Sequence, residues 1–294
     1  MAVIPQAAFE KRLTRRKWQG RAFHALCLLA VVVALGMLAV LLIYIGVKGW
    51  SRVNWGFLTS FPSRHADKAG IQAALLGSIY LVAVAGVVSF VLGVGAALYL
   101  EEYATRNRFA RIVQVNIANL AGVPSIVYGI LGLEIFVRSL DLGKSVLAGG
   151  LTLALLILPI IIIAAEEAIR AVPQSIREGS FALGATRWQA IWHLVLPQAM
   201  PGIMTGVILA LSRAIGETAP LIALGALTFV PFAPDGLLSP FTALPIQIFN
   251  WTARPQAEFQ QAAAAGIIVL LIVLLIMNAG AVIIRNRFQK QSEA

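Results

Sequence analysis

Several stretches of this chain run for the thickness of a membrane without a charged side chain, the first of them from Ala25 to Val47. A hydrocarbon layer about 30 Å thick takes roughly 20 apolar residues of helix to cross. With 59% hydrophobic residues, 12% charged residues and a mean hydropathy of +0.85, a chain of 294 residues carries more apolar surface than a soluble core of that size can hide. It reads as an all-α, polytopic protein of the lipid bilayer, with one membrane domain and no soluble domain of note.

The distribution of charge sets the expected topology. Residues 1–22 form a basic tail containing Lys11, Arg12, Arg15, Arg16, Lys17 and Arg21. The run that follows is too long for a cleaved signal peptide and lacks a small-residue cleavage site, so it reads as an uncleaved first span. Residues 23–70 hold this span and an outer connector, whose Trp50, Trp55, Phe57 and Phe61 suit a segment lying at the membrane surface. Further spans are expected within Ile71–Leu100, Ile112–Val137, Ser145–Ala165, Gly202–Val230 and Ala262–Ile284, which makes 71–284 the main membrane unit and 285–294 a second short tail.

Six spans place both termini on one side. If that side is the cytoplasm, fifteen Lys and Arg lie inside and seven outside, with Arg213 within a span. The excess agrees with the positive-inside rule. The net charge of +10 then reflects topology determinants facing anionic lipid, and no nucleic acid partner is expected. Cys27 is the single cysteine, so no intrachain disulfide can form. His24, His65 and His193 are scattered, and neither a metal site, a catalytic dyad nor a bound cofactor is expected.

A polar stretch between the fourth and fifth spans is patterned as a helical hairpin over about 172–197. Pro173 suits a helix start. Ile176, Ser180 and Leu183 share a face at helical spacing, and Gly184 can end the helix with a left-handed residue. Thr186 and Gln189 are spaced as a capping box for a second helix, on which Trp188, Ile191, Trp192 and Val195 form one apolar face. Pro197 and Pro201 are expected to break the chain before the fifth span.

The hairpin resembles the EAA motif of ABC-importer permeases, written Glu-Ala-Ala, three residues, Gly, nine residues, Ile, one residue, Leu-Pro. Glu178, Gly184, Leu196 and Pro197 sit at that spacing, with Gly179 and Ser180 in place of the alanines and Leu194 in place of the isoleucine. The resemblance implies that the segment from Gln174 to Arg187 docks into a cytoplasmic ATPase, with Glu178, Gly179, Ser180, Leu183, Gly184, Ala185 and Arg187 as coupling residues. An amphipathic helix lying on lipid is the plainer reading of the same pattern.

Arg213 and Glu217 lie well inside the expected fifth span, and ionisable groups there usually mark a pathway or a function. Four residues apart, they share a helix face and can pair. Two readings stay open: a structural ion pair, or an anion site in which the planar guanidinium takes an oxyanion and Glu217 tunes it. Elsewhere, Glu134 and Arg138 are spaced for an interfacial salt bridge, and Asn116 and Asn119 for hydrogen bonds between helices. Gly122 and Pro124 are expected to bend the third span, with Ser125 and Tyr128 as further pathway candidates.

The string Ser212–Pro220 resembles the arginine and glutamate signature of phosphate ABC importer permeases of the PstA type. Ala121–Gly129 and Leu244–Trp251 resemble the same family, and together the motifs cover about 70–284. The resemblance implies the six-helix type-1 importer permease fold, with both termini cytoplasmic, in the bacterial cytoplasmic (inner) membrane. It implies a PstC-type second permease, a PstB-type ATPase dimer carrying ATP and magnesium, and a PstS-type extracytoplasmic phosphate-binding protein. This chain has no phosphate-binding GxxxxGK[ST] loop and is expected to be a transporter subunit, not an enzyme. The alternatives are a permease for sulfate or molybdate, a secondary carrier, and a signalling scaffold.

Overall fold

The structure is a computed structural model that describes residues 6–104, 108–226 and 229–292. Residues 1–5 and 293–294 of the two tails, residues 105–107 of the charged turn and residues 227–228 of the expected fifth span lie outside the described residues. The described chain contains no β-strand, only twelve α-helices joined by short 3₁₀ and π turns. Lipid offers no hydrogen bonds to free backbone groups, which is the physical reason an apolar chain of this kind resolves into helices.

α1 (Gln6–Gly49) carries the basic tail and the first span as one helix, about 66 Å long. Its apolar run faces outward as far as Tyr44, and among its described side chains those that pack on the rest of the chain lie at its end, at Ile45 and at Gly49 beside the Ala264–Ala265 backbone. The connector forms the short α2 (Trp55–Thr59), capped by the Asn54 side chain, which accepts from Phe57 N at 2.8 Å. Of the connector's aromatics Phe57 turns inward, buried and meeting Trp251 with ring centroids 5.8 Å apart, whereas Trp50 and Trp55 stay exposed.

α3 (Gln72–Leu98) continues through a π turn, Tyr99–Tyr103. The expected third span is two helices, α4 (Arg108–Ala121) and α5 (Ser125–Gly132), meeting at 102°. A second π turn, Leu133–Ser139, follows and holds the Glu134–Arg138 pair at 2.9 Å. α6 (Val146–Arg170) is the most buried span. Ser145 Oγ accepts from Ala148 N, and the loop carbonyls of Ser239 and Leu237 accept from Val146 and Leu147, so its otherwise orphaned amides are satisfied.

α7 (Gln174–Ala182) and α8 (Arg187–Ala190) form the hairpin. α8 passes through a π turn, Ile191–Val195, directly into α9 (Leu196–Gly216), so 187–216 is one helical run. The expected break at Pro197 and Pro201 does not occur. The Leu196 amide bonds to Ile191 O in the wider π pattern just ahead of Pro197, which absorbs the proline's missing donor, and Pro201 lies within the helix.

The fifth span instead stops at Gly216, well short of Val230. α10 (Ala219–Leu224) begins three residues later, with Pro220 in its first turn. α11 (Leu244–Thr252) and the long α12 (Ala257–Ser292) complete the chain. Among the described residues five helical runs have the length and apolarity to cross a membrane, and the bent α4–α5 pair makes up to six.

α6 lies between α3 and α9, and α12 packs on α9 with α1 and α11 against it. Helices in lipid gain little from hydrophobic burial and associate through close packing. Gly202 and Gly206 on α9 supply it, facing Ala168 and Ala164 of α6: a Cβ at Gly202 would come 2.7 Å from the Ala168 methyl, and one at Gly206 closer still to Ala164.

Candidate functional site

Two regions bring the chemistry-bearing residues together, one at the hairpin and one where α9 ends. α7 closes as a Schellman motif: Gly184 adopts φ +86°, its amide bonds to Phe181 O at 3.0 Å, and the Ala185 amide bonds to Ser180 O at 3.1 Å. Thr186 and Gln189 make the capping box that starts α8.

Glu178, Gly179, Gly184 and Arg187 are exposed, Ala185 is half-buried and Ser180 is buried. Leu183 is not on the packed face with Ile176 and Ser180. It is 91% exposed at the hairpin tip, because the helix ends there and the chain turns left-handed. The apolar face of the second helix also splits: Ile191 and Val195 are buried, while Trp188 and Trp192 stack on each other outside at 5.6 Å. The π turn re-registers the faces within this short stretch.

Beneath the hairpin is an ionic cluster that no sequence spacing reveals. Arg177, with a 12% exposed side chain, pairs with Glu102 at 2.8 Å and donates to the carbonyls of Val172 (2.6 Å) and Ile169 (2.9 Å) at the end of α6. Arg170 pairs with Glu101 and with Glu167, and Arg187 reaches Glu102 O at 3.4 Å. Arg177 adjoins the motif residue Glu178, which is the one hint in the sequence; its partner is 75 positions away.

At the far end of α9, Arg213 occupies the last turn and Glu217 leaves the helix. The cation lies where the carbonyl end of the helix dipole favours it. Arg213 Nε donates to Glu217 Oε1 at 3.3 Å, a single side-on contact, with side-chain exposures of 55% and 17%. Among the described residues the terminal guanidinium nitrogens of Arg213 have no acceptor, which leaves a planar pair of donors of the kind that suits an oxyanion. Ser212 Oγ donates to Asn278 Oδ1 of α12 at 2.7 Å, an interhelical bond between residues 66 positions apart that no local pattern signals. Asn116, by contrast, bonds within its own helix, to Ile112 O at 2.8 Å.

The break in the third span is built from the expected residues. Gly122 and Pro124 lie between α4 and α5, Ser125 opens α5, and the Tyr128 hydroxyl crosses the break to donate to Leu120 O at 2.8 Å. α5 packs against α10, and Gly129 permits it: a Cβ there would lie 2.5 Å from Pro220 O. The short helix after one break thus rests on the short helix after the other. Irregular backbone at membrane depth is tolerated where protein or a water-filled path satisfies it.

This fold, a helical bundle with a hairpin, two broken helices and an arginine in the last turn of α9, is that of a multi-pass membrane protein. The family described as "Binding-protein-dependent transport system inner membrane component" matches residues 89–290, and the chain belongs to it: it is a permease component of an ABC importer in the inner membrane. The phosphate transport system permease protein PstA 1 of Mycobacterium tuberculosis is 35% identical over 227 residues, covering 75% of this chain and 74% of that protein. PstA of Haemophilus influenzae is 32% identical over 240 residues, covering 82% and 84%. Among solved structures, a bacterial alginate ABC transporter, crystallised with an alginate pentasaccharide-bound periplasmic protein, has the same fold. It superposes with a TM-score of 0.62 at 15% identity, over 91% of this chain and 96% of that one.

Proposed function

We propose that this chain is the PstA-type subunit of an ATP-driven phosphate importer. It pairs with a PstC-type permease, stands on a PstB-type ATPase dimer that carries ATP and magnesium, and receives phosphate from a PstS-type binding protein. The PstA relatives supply the substrate class, and the free fork of Arg213 is the observation that carries the site. Both termini are cytoplasmic in this reading, with α4 and α5 counted as one broken span.

ATP closes the ATPase pair and draws on the hairpin residues Glu178 to Arg187, which shifts the bundle between outward-open and inward-open states. Phosphate passes along the face that Arg213 presents, where the guanidinium holds two oxygens transiently. Glu217 orients the arginine and accepts a hydrogen bond from a protonated phosphate oxygen, which fully ionised sulfate cannot donate. Gly122, Pro124, Ser125 and Tyr128 form the bend that borders this path. The hydrolytic chemistry belongs to the ATPase.

The test is uptake of labelled phosphate by vesicles containing the assembled transporter, with sulfate and molybdate as competitors. Uptake that requires ATP and is blocked by unlabelled phosphate alone is expected. Equal competition by sulfate or molybdate reassigns the oxyanion, and uptake without the ATPase reassigns the class to a secondary carrier.

A further inference from the structure

We propose that Arg177 and Glu102 are a fixed joint through which α7 moves as one body with the ends of α3 and α6, so that the stroke of the docking helix enters the membrane along those two spans. The proposal rests on the reading of α7 as the ATPase-docking helix.

Arg177 uses its whole fork. Nε and Nη2 both donate to Glu102 Oε1, at 3.0 and 2.8 Å, Nη1 donates to Val172 O and Nη2 also to Ile169 O. The guanidinium therefore binds one carbonyl in the last turn of α6 and one just beyond it, and holds the carboxylate at the end of the π turn that extends α3. Both side chains are nearly buried, at 12% and 10% exposure, so water does not compete for the pair. Arg170 and Glu101 tie the same two helix ends one step further out.

On the other side of the hairpin the link is weaker. α7 reaches α8 through Leu183–Thr186, where Gly184 sits in the left-handed region and a Cβ on it would meet nothing within 4 Å. A turn at an unpacked glycine bends more readily than a buried, four-bond clamp. α3 and α6 also share the most extensive packing between any two helices, which makes them the stiffest path inward. α9, with Arg213 at its end, packs along α6 and is carried by it. Arg177 and Glu102 act through the helices they join and are positioning residues.

The experiment uses the purified transporter in liposomes, measuring inorganic phosphate uptake and ATP hydrolysis in the same vesicles. Arg177→Ala is expected to leave the ATPase bound and hydrolysing while phosphate moved per ATP falls about tenfold. Arg177→Lys, which keeps the charge without the fork, is expected to fall between. Phosphate per ATP within about twofold of the unaltered protein overturns the joint. If Arg177→Ala does not assemble, Glu102→Gln keeps the shape and one accepting oxygen, and it must lower the same ratio; an unchanged ratio overturns the proposal. Leu183→Asp at the exposed tip tests docking alone: ATPase that still co-purifies refutes docking, whereas the joint is read only from complexes that contain the ATPase.

Discussion

Ser212 of α9 and Asn278 of α12 are joined side chain to side chain at 2.7 Å, one residue before the intramembrane Arg213. The bond fixes the last turn of α9 against the neighbouring span, and with it the direction in which the arginine leaves the helix. Asn278→Leu is expected to cost about 1 kcal/mol, in the range found for polar bonds between membrane helices. A downward shift in the thermal unfolding of the purified complex, with weaker phosphate affinity, checks it. An unshifted midpoint with unchanged affinity would show that α12 has no part in placing the arginine.

Gly179 and Gly184 are both glycines of the hairpin with open space where a Cβ would go, yet they differ in backbone. Only Gly184 has a positive φ, +86°. Gly179→Ala is expected to be silent or to stabilise α7 by about 0.5–1 kcal/mol, since alanine is the better helix former. Gly184→Val forces a branched side chain into the left-handed region and is expected to lower phosphate moved per ATP. Uptake and hydrolysis measured on both variants separate strain from crowding.

Gly206 faces Ala164 where α9 crosses α6. Gly206→Leu is expected to push the two spans apart at a cost of about 1–3 kcal/mol. Reduced yield of assembled complex after detergent extraction is the readout, and normal yield and stability would mean that the crossing is looser than drawn.

The parts of this fold that were legible in the sequence are local ones. The Thr186–Gln189 capping box, the left-handed Gly184 and the disruption at Gly122–Pro124 all follow from residues within a few positions of one another. The break after Gly216 is hidden in the sequence, although Gly216 and Pro220 bracket it, because the apolar run continues past both and hydropathy masks the interruption. Pro197 and Pro201 misled in the opposite direction: a π turn ahead of Pro197 takes up the missing donor, a compensation that no propensity announces. The Arg177–Glu102 and Ser212–Asn278 contacts join residues 75 and 66 positions apart, and only the packed bundle brings them together. For the same reason Phe57, one of four aromatics in a connector, could not be singled out as the one that goes inside against Trp251.

Substituting Arg213 tests most directly whether its guanidinium grips phosphate in passage. Arg213→Ala in the reconstituted transporter is expected to assemble normally, to retain ATP hydrolysis, and to lose phosphate uptake by about 100-fold or more, the scale of losing a charge-assisted contact to the substrate. Uptake within a few-fold of the unaltered protein, or loss of assembly with no separate loss of uptake, would contradict it and leave the Arg213–Glu217 pair as a structural one.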